Sequence, residues 1–64
     1  MPTINGEKTD AAGMSVACFL EREGYDPARV VVERNLEILP REAFDQAVIM
    51  DEDVLEILCL VGGG

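Results

Sequence analysis

Ser15-Val16-Ala17-Cys18-Phe19-Leu20-Glu21-Arg22-Glu23-Gly24 reads as one short amphipathic helix with both of its ends marked. Ser15 stands directly before the helix-forming run, where its hydroxyl can accept from the free N–H groups of the first turn. Val16, Phe19 and Leu20 follow the i, i+3, i+4 spacing and make an apolar stripe about two turns long. Gly24 takes the position where a left-handed residue ends a helix. Tyr25 is then C″ and Leu20 C3, the two positions that touch in a Schellman motif, and Pro27 keeps the helix from resuming.

Outward from the helix the chain is extended. Upstream, Asn5-Gly6 between Thr3-Ile4 and Glu7-Lys8-Thr9 is the dipeptide that type I′ hairpin turns demand, because both central residues need positive φ. Gly13 breaks the chain before the helix. Downstream, Val30-Val31-Val32-Glu33-Arg34 is a β-branched run that suits a strand with Val30 and Val32 facing the helix. Asn35-Leu36 reads as a turn and Glu37-Ile38-Leu39 as a return strand. Pro40 can open a single helical turn over Arg41-Glu42-Ala43-Phe44-Asp45, anchored by Phe44. Ala47-Val48-Ile49-Met50 reads as another short strand, Asp51-Glu52-Asp53 as an acidic turn, and Val54 to Val61 as a final strand apolar on both faces. The order predicts an α+β fold, one helix laid across a mixed sheet of four to five strands over residues 1–61. Gly62-Gly63-Gly64 is expected as a flexible tail.

Composition narrows the function. A chain of 64 residues is a single small domain, and a chain of that size buries only about 60% of its unfolded surface. Such a size argues against a deep enclosed active site. Five basic against thirteen acidic residues leave a net charge of −8, which repels nucleic-acid phosphates and anionic lipid and favours a basic protein surface. There is no histidine, the side chain most used for proton transfer near neutral pH and the commonest nitrogen ligand of transition metals. Self-sufficient catalysis is therefore disfavoured. The N-terminus shows neither a basic leader nor a cleavage site, and no apolar stretch approaches the roughly 20 residues of a membrane span. A cytoplasmic protein with Cys18 and Cys59 as free thiols is expected.

Three consecutive glycines at the end of a strand cannot pack a core. They are either a frayed terminus or a thread that carries the α-carboxylate of Gly64 into a cleft of another protein. The choice between these comes from resemblance. Ile4-Asn5-Gly6-Glu7, Ser15-Val16 with Phe19-Leu20, Val30 to Asn35, Glu37-Ile38-Leu39-Pro40-Arg41, Asp51 and Asp53, and Glu56-Ile57 leading to Val61-Gly62-Gly63-Gly64 together resemble the ThiS family of thiamin-pathway sulfur carriers. That family has the β-grasp, ubiquitin-like fold. The match lies in the order and spacing of the pieces across nearly the whole chain. Two positions depart from it: many relatives have glycine where this chain has Leu36 and Glu52. Since leucine tolerates positive φ poorly, the Asn35-Leu36 turn is expected to differ in type.

The resemblance implies a protein co-substrate and not an enzyme. Gly64 would be adenylated by a ThiF-like adenylyltransferase that uses ATP, with no cofactor bound by the carrier itself. Sulfur from a cysteine desulfurase system would then give a C-terminal thiocarboxylate, and a ThiG-like thiazole synthase would accept that sulfur. Gly62 and Gly63 would thread the partner's site. Two readings share the fold and the activated glycine end: a molybdopterin synthase small subunit, and a ubiquitin-like modifier conjugated to lysines. A plain interaction module with an inert tail is the third.

The remaining candidates come from the residues alone. If Leu55 and Ile57 face the helix, Leu58 and Leu60 lie on the other face, either as a partner-docking patch or packed under a loop. Cys18 reads as a small semi-buried filler and Cys59 as an unactivated thiol. Asp51-Glu52-Asp53 lacks the spacing of a calcium loop and reads as a solvated turn; no metal site is expected. Arg41 either fixes the short helical turn or touches a partner.

Overall fold

In the computed structural model, which describes residues 1–60, helix α1 spans Val16–Glu23 and is capped as its sequence predicts. The Ser15 hydroxyl accepts from the Cys18 N–H at 3.0 Å. At the other end Gly24 lies at φ 83°, the Gly24 N–H donates to Glu21 O at 3.1 Å, and the Tyr25 N–H donates to Leu20 O at 2.9 Å. Those two bonds are the Schellman pair, and they satisfy carbonyls that a helix end otherwise leaves open. Val16, Phe19 and Leu20 are buried.

Five strands form one sheet: β1 (Thr3–Ile4), β2 (Glu7–Lys8), β3 (Val30–Arg34), β4 (Glu37–Leu39) and β5 (Val54–Cys59). Their spatial order is β2-β1-β5-β3-β4. β5 runs parallel to β1 and antiparallel to β3, so the last strand of the chain is inserted at the centre. Val30, Val32, Leu55 and Ile57 turn inward and pack with Phe19, Leu20 and Ile49 into one core. Among the described residues, no element covers the opposite face of the sheet, to which the alternation along β3 and β5 turns their remaining side chains. Single 3-10 turns follow the helix at Pro27–Arg29, capped by the Asp26 carboxylate on the Ala28 N–H at 2.9 Å, and follow β4 at Arg41–Ala43. Phe44, just past the second of these, is buried as its anchor.

Four local expectations are corrected. Ala47–Met50 is not a strand of the sheet; Val48 makes a single antiparallel bridge with Ser15. The Val16 N–H donates to Ala47 O at 2.9 Å and the Ile49 N–H to Met14 O at 2.8 Å, and this ladder stops because its partner becomes helical at Val16. The final strand ends at Cys59, before Leu60, although the Leu60 N–H still pairs with Arg29 O at 2.7 Å; the expected end at Val61 lies outside the described residues. Cys18 is exposed instead of semi-buried, since two residues past Val16 is the far side of a 3.6-residue period from the core stripe.

The fourth correction concerns the Asn35-Leu36 turn, which keeps positive φ at both residues, 53° and 73°, as Asn5-Gly6 does at 52° and 84°. The turn is held by its asparagine. The Asn35 N–H donates to Val54 O at 2.8 Å, while its side-chain oxygen accepts from the Val54 N–H at 3.0 Å. Asn5 does the equivalent from the other side: β1 ends at Ile4, and the Asn5 side-chain oxygen accepts from the Ile57 N–H at 2.7 Å, adding a further bond to the β5 edge. Two left-handed asparagines thus grip the central strand from both neighbours. Leu36 bears the steric cost of its φ, about 1–2 kcal/mol. Leu36→Gly relieves it and returns about 0.4–1 kcal/mol of that through added chain entropy. The expected net is a gain of roughly 0.5–1 kcal/mol in a urea melt, with no change in register.

Candidate functional site

The uncovered face of the sheet is built by the outward set of each strand. On β5 these are Val54, Glu56 and Leu58, with Leu60 just beyond; on β3 they are Val31 and Glu33; on β4 Ile38. The register sets Val31 opposite Leu58 and Glu33 opposite Ile38. Leu58 and Leu60 are 51% and 52% exposed, so neither lies under a loop. The structure joins them to Val54, which the alternation of the last strand already sets on their face, and to Ile38 on the next strand but one, both exposed. Their signal was present in the alternation of Glu37-Ile38-Leu39 and Val54-Leu55. A cluster of exposed apolar side chains on one sheet face is what an interaction surface looks like.

Val61, Gly62, Gly63 and Gly64 lie outside the described residues, so the sequence-based readings of the tail are not addressed by the geometry. The structure places the last described residue, Leu60, at the end of β5 beside this face. Cys59 is an exposed free thiol at the same end. Arg41 is bound within the fold: its guanidinium donates to Ala28 O at 3.4 Å and ties the second 3-10 turn to the first.

The acidic turn divides into two parts. Asp51 and Glu52 are exposed, and the Met1 ammonium 2.8 Å from Asp51 holds that carboxyl below its ordinary value by hydrogen bond and charge. Asp53 is instead buried, 7% exposed. It accepts from the Met50 N–H at 2.9 Å and from the Asn35 amide at 3.2 Å, and it pairs with the Arg34 guanidinium at 3.2 Å. It is a structural anchor and not part of a solvated turn. Among the described residues no group of three or more His, Cys, Asp or Glu side chains could hold a metal ion, and no helix is long and apolar enough to cross a membrane.

A mixed sheet in the order β2-β1-β5-β3-β4 closed over one helix defines a β-grasp, ubiquitin-like protein. The ThiS family matches residues 3–64, and the crystal structure of the thiamine biosynthesis protein ThiS from Geobacter metallireducens superposes with a TM-score of 0.78 at 37% identity, covering 98% of this chain and 97% of that one. The chain belongs to the ThiS family, of sulfur carrier proteins in thiamin biosynthesis. The sulfur carrier protein ThiS of Bacillus subtilis is 49% identical over 35 residues, 55% of this chain and 53% of that protein. A protein named thiazole synthase from Paramagnetospirillum magneticum is 45% identical over 62 residues, which is 95% of this chain but only 19% of that protein. The chain therefore spans about a fifth of the length of that relative.

Proposed function

We propose that the α-carboxylate of Gly64 is the sulfur-bearing group and that the acceptor is a ThiG-like thiazole synthase. The observation that carries the acceptor is the relative in which a segment 45% identical to this chain forms part of a protein named thiazole synthase. A carrier and its acceptor joined in one chain are held at high effective concentration, which serves a pair that must meet in every cycle. The family match also runs through the three glycines to residue 64.

The chemistry follows from the poor electrophilicity of a carboxylate. A ThiF-like adenylyltransferase joins it to the α-phosphorus of ATP, releasing pyrophosphate and leaving an acyl-adenylate. The terminal sulfur of a persulfide, supplied by a cysteine desulfurase system, attacks the acyl carbon and expels AMP. A second thiol then cleaves the S–S bond, is itself oxidised to a disulfide, and leaves the thiocarboxylate on Gly64. Its sulfur is the nucleophile delivered to the synthase. The carrier contributes the reach of its glycines, which have no Cβ to obstruct a narrow channel, and a surface that docks.

Incubation with the adenylyltransferase, ATP and the sulfur donor is expected to raise the protein mass by the exchange of one oxygen for sulfur, localised to Gly64 by fragmentation. Conjugates to lysine in place of that product would identify a modifier, and no product at all would end the carrier reading. Docking through Leu58 and Leu60 is tested by Leu58→Asp. Because Leu58 is half exposed, the variant should melt within about 0.5 kcal/mol of wild type. Its affinity for the synthase should fall by about tenfold or more, since a carboxylate in an apolar contact loses its water without gaining a partner.

A further inference from the structure

Resting on that docking reading, we infer that the synthase surface meeting this face presents a basic side chain, best an arginine, that seats between Glu33 and Glu56 within the apolar frame of Val31, Ile38, Val54 and Leu58. Glu33 and Glu56 are direct cross-strand partners, and both belong to the outward set. The bonds Asn35 N–H to Val54 O and Leu60 N–H to Arg29 O fix the phase of the β3–β5 ladder, so the 33–56 pair is a hydrogen-bonded one, with Cα atoms about 5.5 Å apart. Like charges set directly opposite each other destabilise a sheet. Among the described residues neither carboxylate has a salt bridge; the ion pairs present involve Asp51, Glu23, Asp26 and Asp53.

The fold places its cations elsewhere. Arg34, next to Glu33 in sequence, points to the other face and is bound to Asp53. Lys8 is on the outward face, but its register partner is Thr3 on β1, and β1 separates it from β5. The side chains that flank the two carboxylates on this face are mostly apolar: Ile38 across from Glu33, Val31 and Leu58 along one direction of the strands, and Val54 along the other; the polar neighbour there, Asn35, is already bound to the Val54 N–H and to Asp53. Two uncompensated carboxylates inside an apolar frame complement a cation that arrives with an apolar surround. A guanidinium can donate to both carboxylates at once, which an ammonium does with less geometric definition. The chain's net charge of −8 would draw such a surface in before contact.

The test compares Glu33→Gln, Glu56→Gln and the double variant with Leu58→Asp, using the cognate thiazole synthase as the binding probe in calorimetry over a range of salt concentrations. The glutamines are isosteric, so the free double variant should fold and melt higher than wild type as the repulsion is removed. Its affinity should nevertheless fall by about tenfold or more, and the salt dependence of binding should flatten. Unchanged affinity and salt slope in the double variant, with binding lost in Leu58→Asp, would overturn the arginine contact and leave the docking face standing. Unchanged binding in Leu58→Asp as well would overturn both. A double variant less stable than wild type would show that the carboxylates serve the fold, and would overturn the inference.

Discussion

A chain ended after Gly62 is expected to fold as the full-length protein does and to gain no sulfur. Among the described residues the backbone pairing of β5 continues as far as Leu60, through its bond to Arg29, and β5 contributes Leu55 and Ile57 to the core. Loss of Gly63 and Gly64 should therefore leave the urea melt within about 0.5 kcal/mol of wild type. Each residue of extended chain spans at most about 3.3–3.6 Å, so the truncation withdraws the carboxylate by up to about 7 Å. Misplacement of a reacting group by about 1 Å can already cost around 10²-fold. Thiocarboxylate formation, read by mass, should thus fall below detection. Gly63→Ala keeps the reach and adds only a Cβ, and it should give a partial loss, which separates reach from width. Thiolation of the shortened chain at wild-type rate would show that Gly64 is not the reacting residue.

The expectations that the structure met rest on local patterns whose physics is itself local. Helix α1 was legible because its cap, its stripe and its terminal glycine each solve a problem of the helix alone: free N–H groups, one dry face and open carbonyls. The Asn5-Gly6 hairpin was legible because few sequences tolerate positive φ at two successive residues. Where the reading failed, a distant partner had decided. Ala47–Met50 has the composition of a strand, but its neighbour is the short run before Val16, which allows one bridge only. Leu36 is a poor left-handed residue by propensity, yet the two-residue connection between β3 and β4 and the bonds from Asn35 to Val54 leave it no other conformation.

The candidate site was legible in part for the same reason. Alternation along β5 correctly put Leu58 on the face away from Leu55 and Ile57, because a strand's period of two holds whatever lies beside it. The same rule could not report that Ile38 and Val31 join Leu58, since neighbours across a sheet depend on strand order. That order places the last strand between the first and the third, and no local signal encodes it. The Glu33–Glu56 pairing is a product of this topology: the two residues are unremarkable in sequence and become a like-charged pair only through the register of β3 with β5.

Asp53→Ala is expected to be among the most destabilising single substitutions in the chain. The Asp53 carboxylate holds three groups from two parts of the chain: the Met50 N–H, the Asn35 amide and the Arg34 guanidinium. Its own carbonyl accepts from the Thr3 N–H at 3.0 Å, so the loop it fixes also aligns β1 with β5. Alanine keeps that carbonyl bond but leaves the partly buried Arg34 without a counter-charge and frees the Asn35 side chain that braces Val54. Hydrogen bonds to charged groups contribute about 1.5–3 kcal/mol, and breaking a fully buried pair costs about 3–5 kcal/mol. With Arg34 still 29% exposed to water, a loss of about 2–4 kcal/mol is expected. A domain this small has only about 3–5 kcal/mol to lose, so much of the variant should be unfolded at growth temperature. Asn35→Ala tests whether the contact acts as a unit: in a double-mutant cycle with Asp53→Ala, urea melts should give a coupling of about 0.5–3 kcal/mol. An Asp53→Ala melt within about 0.5 kcal/mol of wild type would return Asp53 to the status of an ordinary surface turn residue. Under the proposed function the anchor also bears on sulfur transfer. β5 leads directly toward Gly64, and the bonds from Asn5 to Ile57 and from Asn35 to Val54 hold that strand from both sides. Loosening one of those holds should therefore lower the yield of thiocarboxylate in proportion to the unfolded fraction.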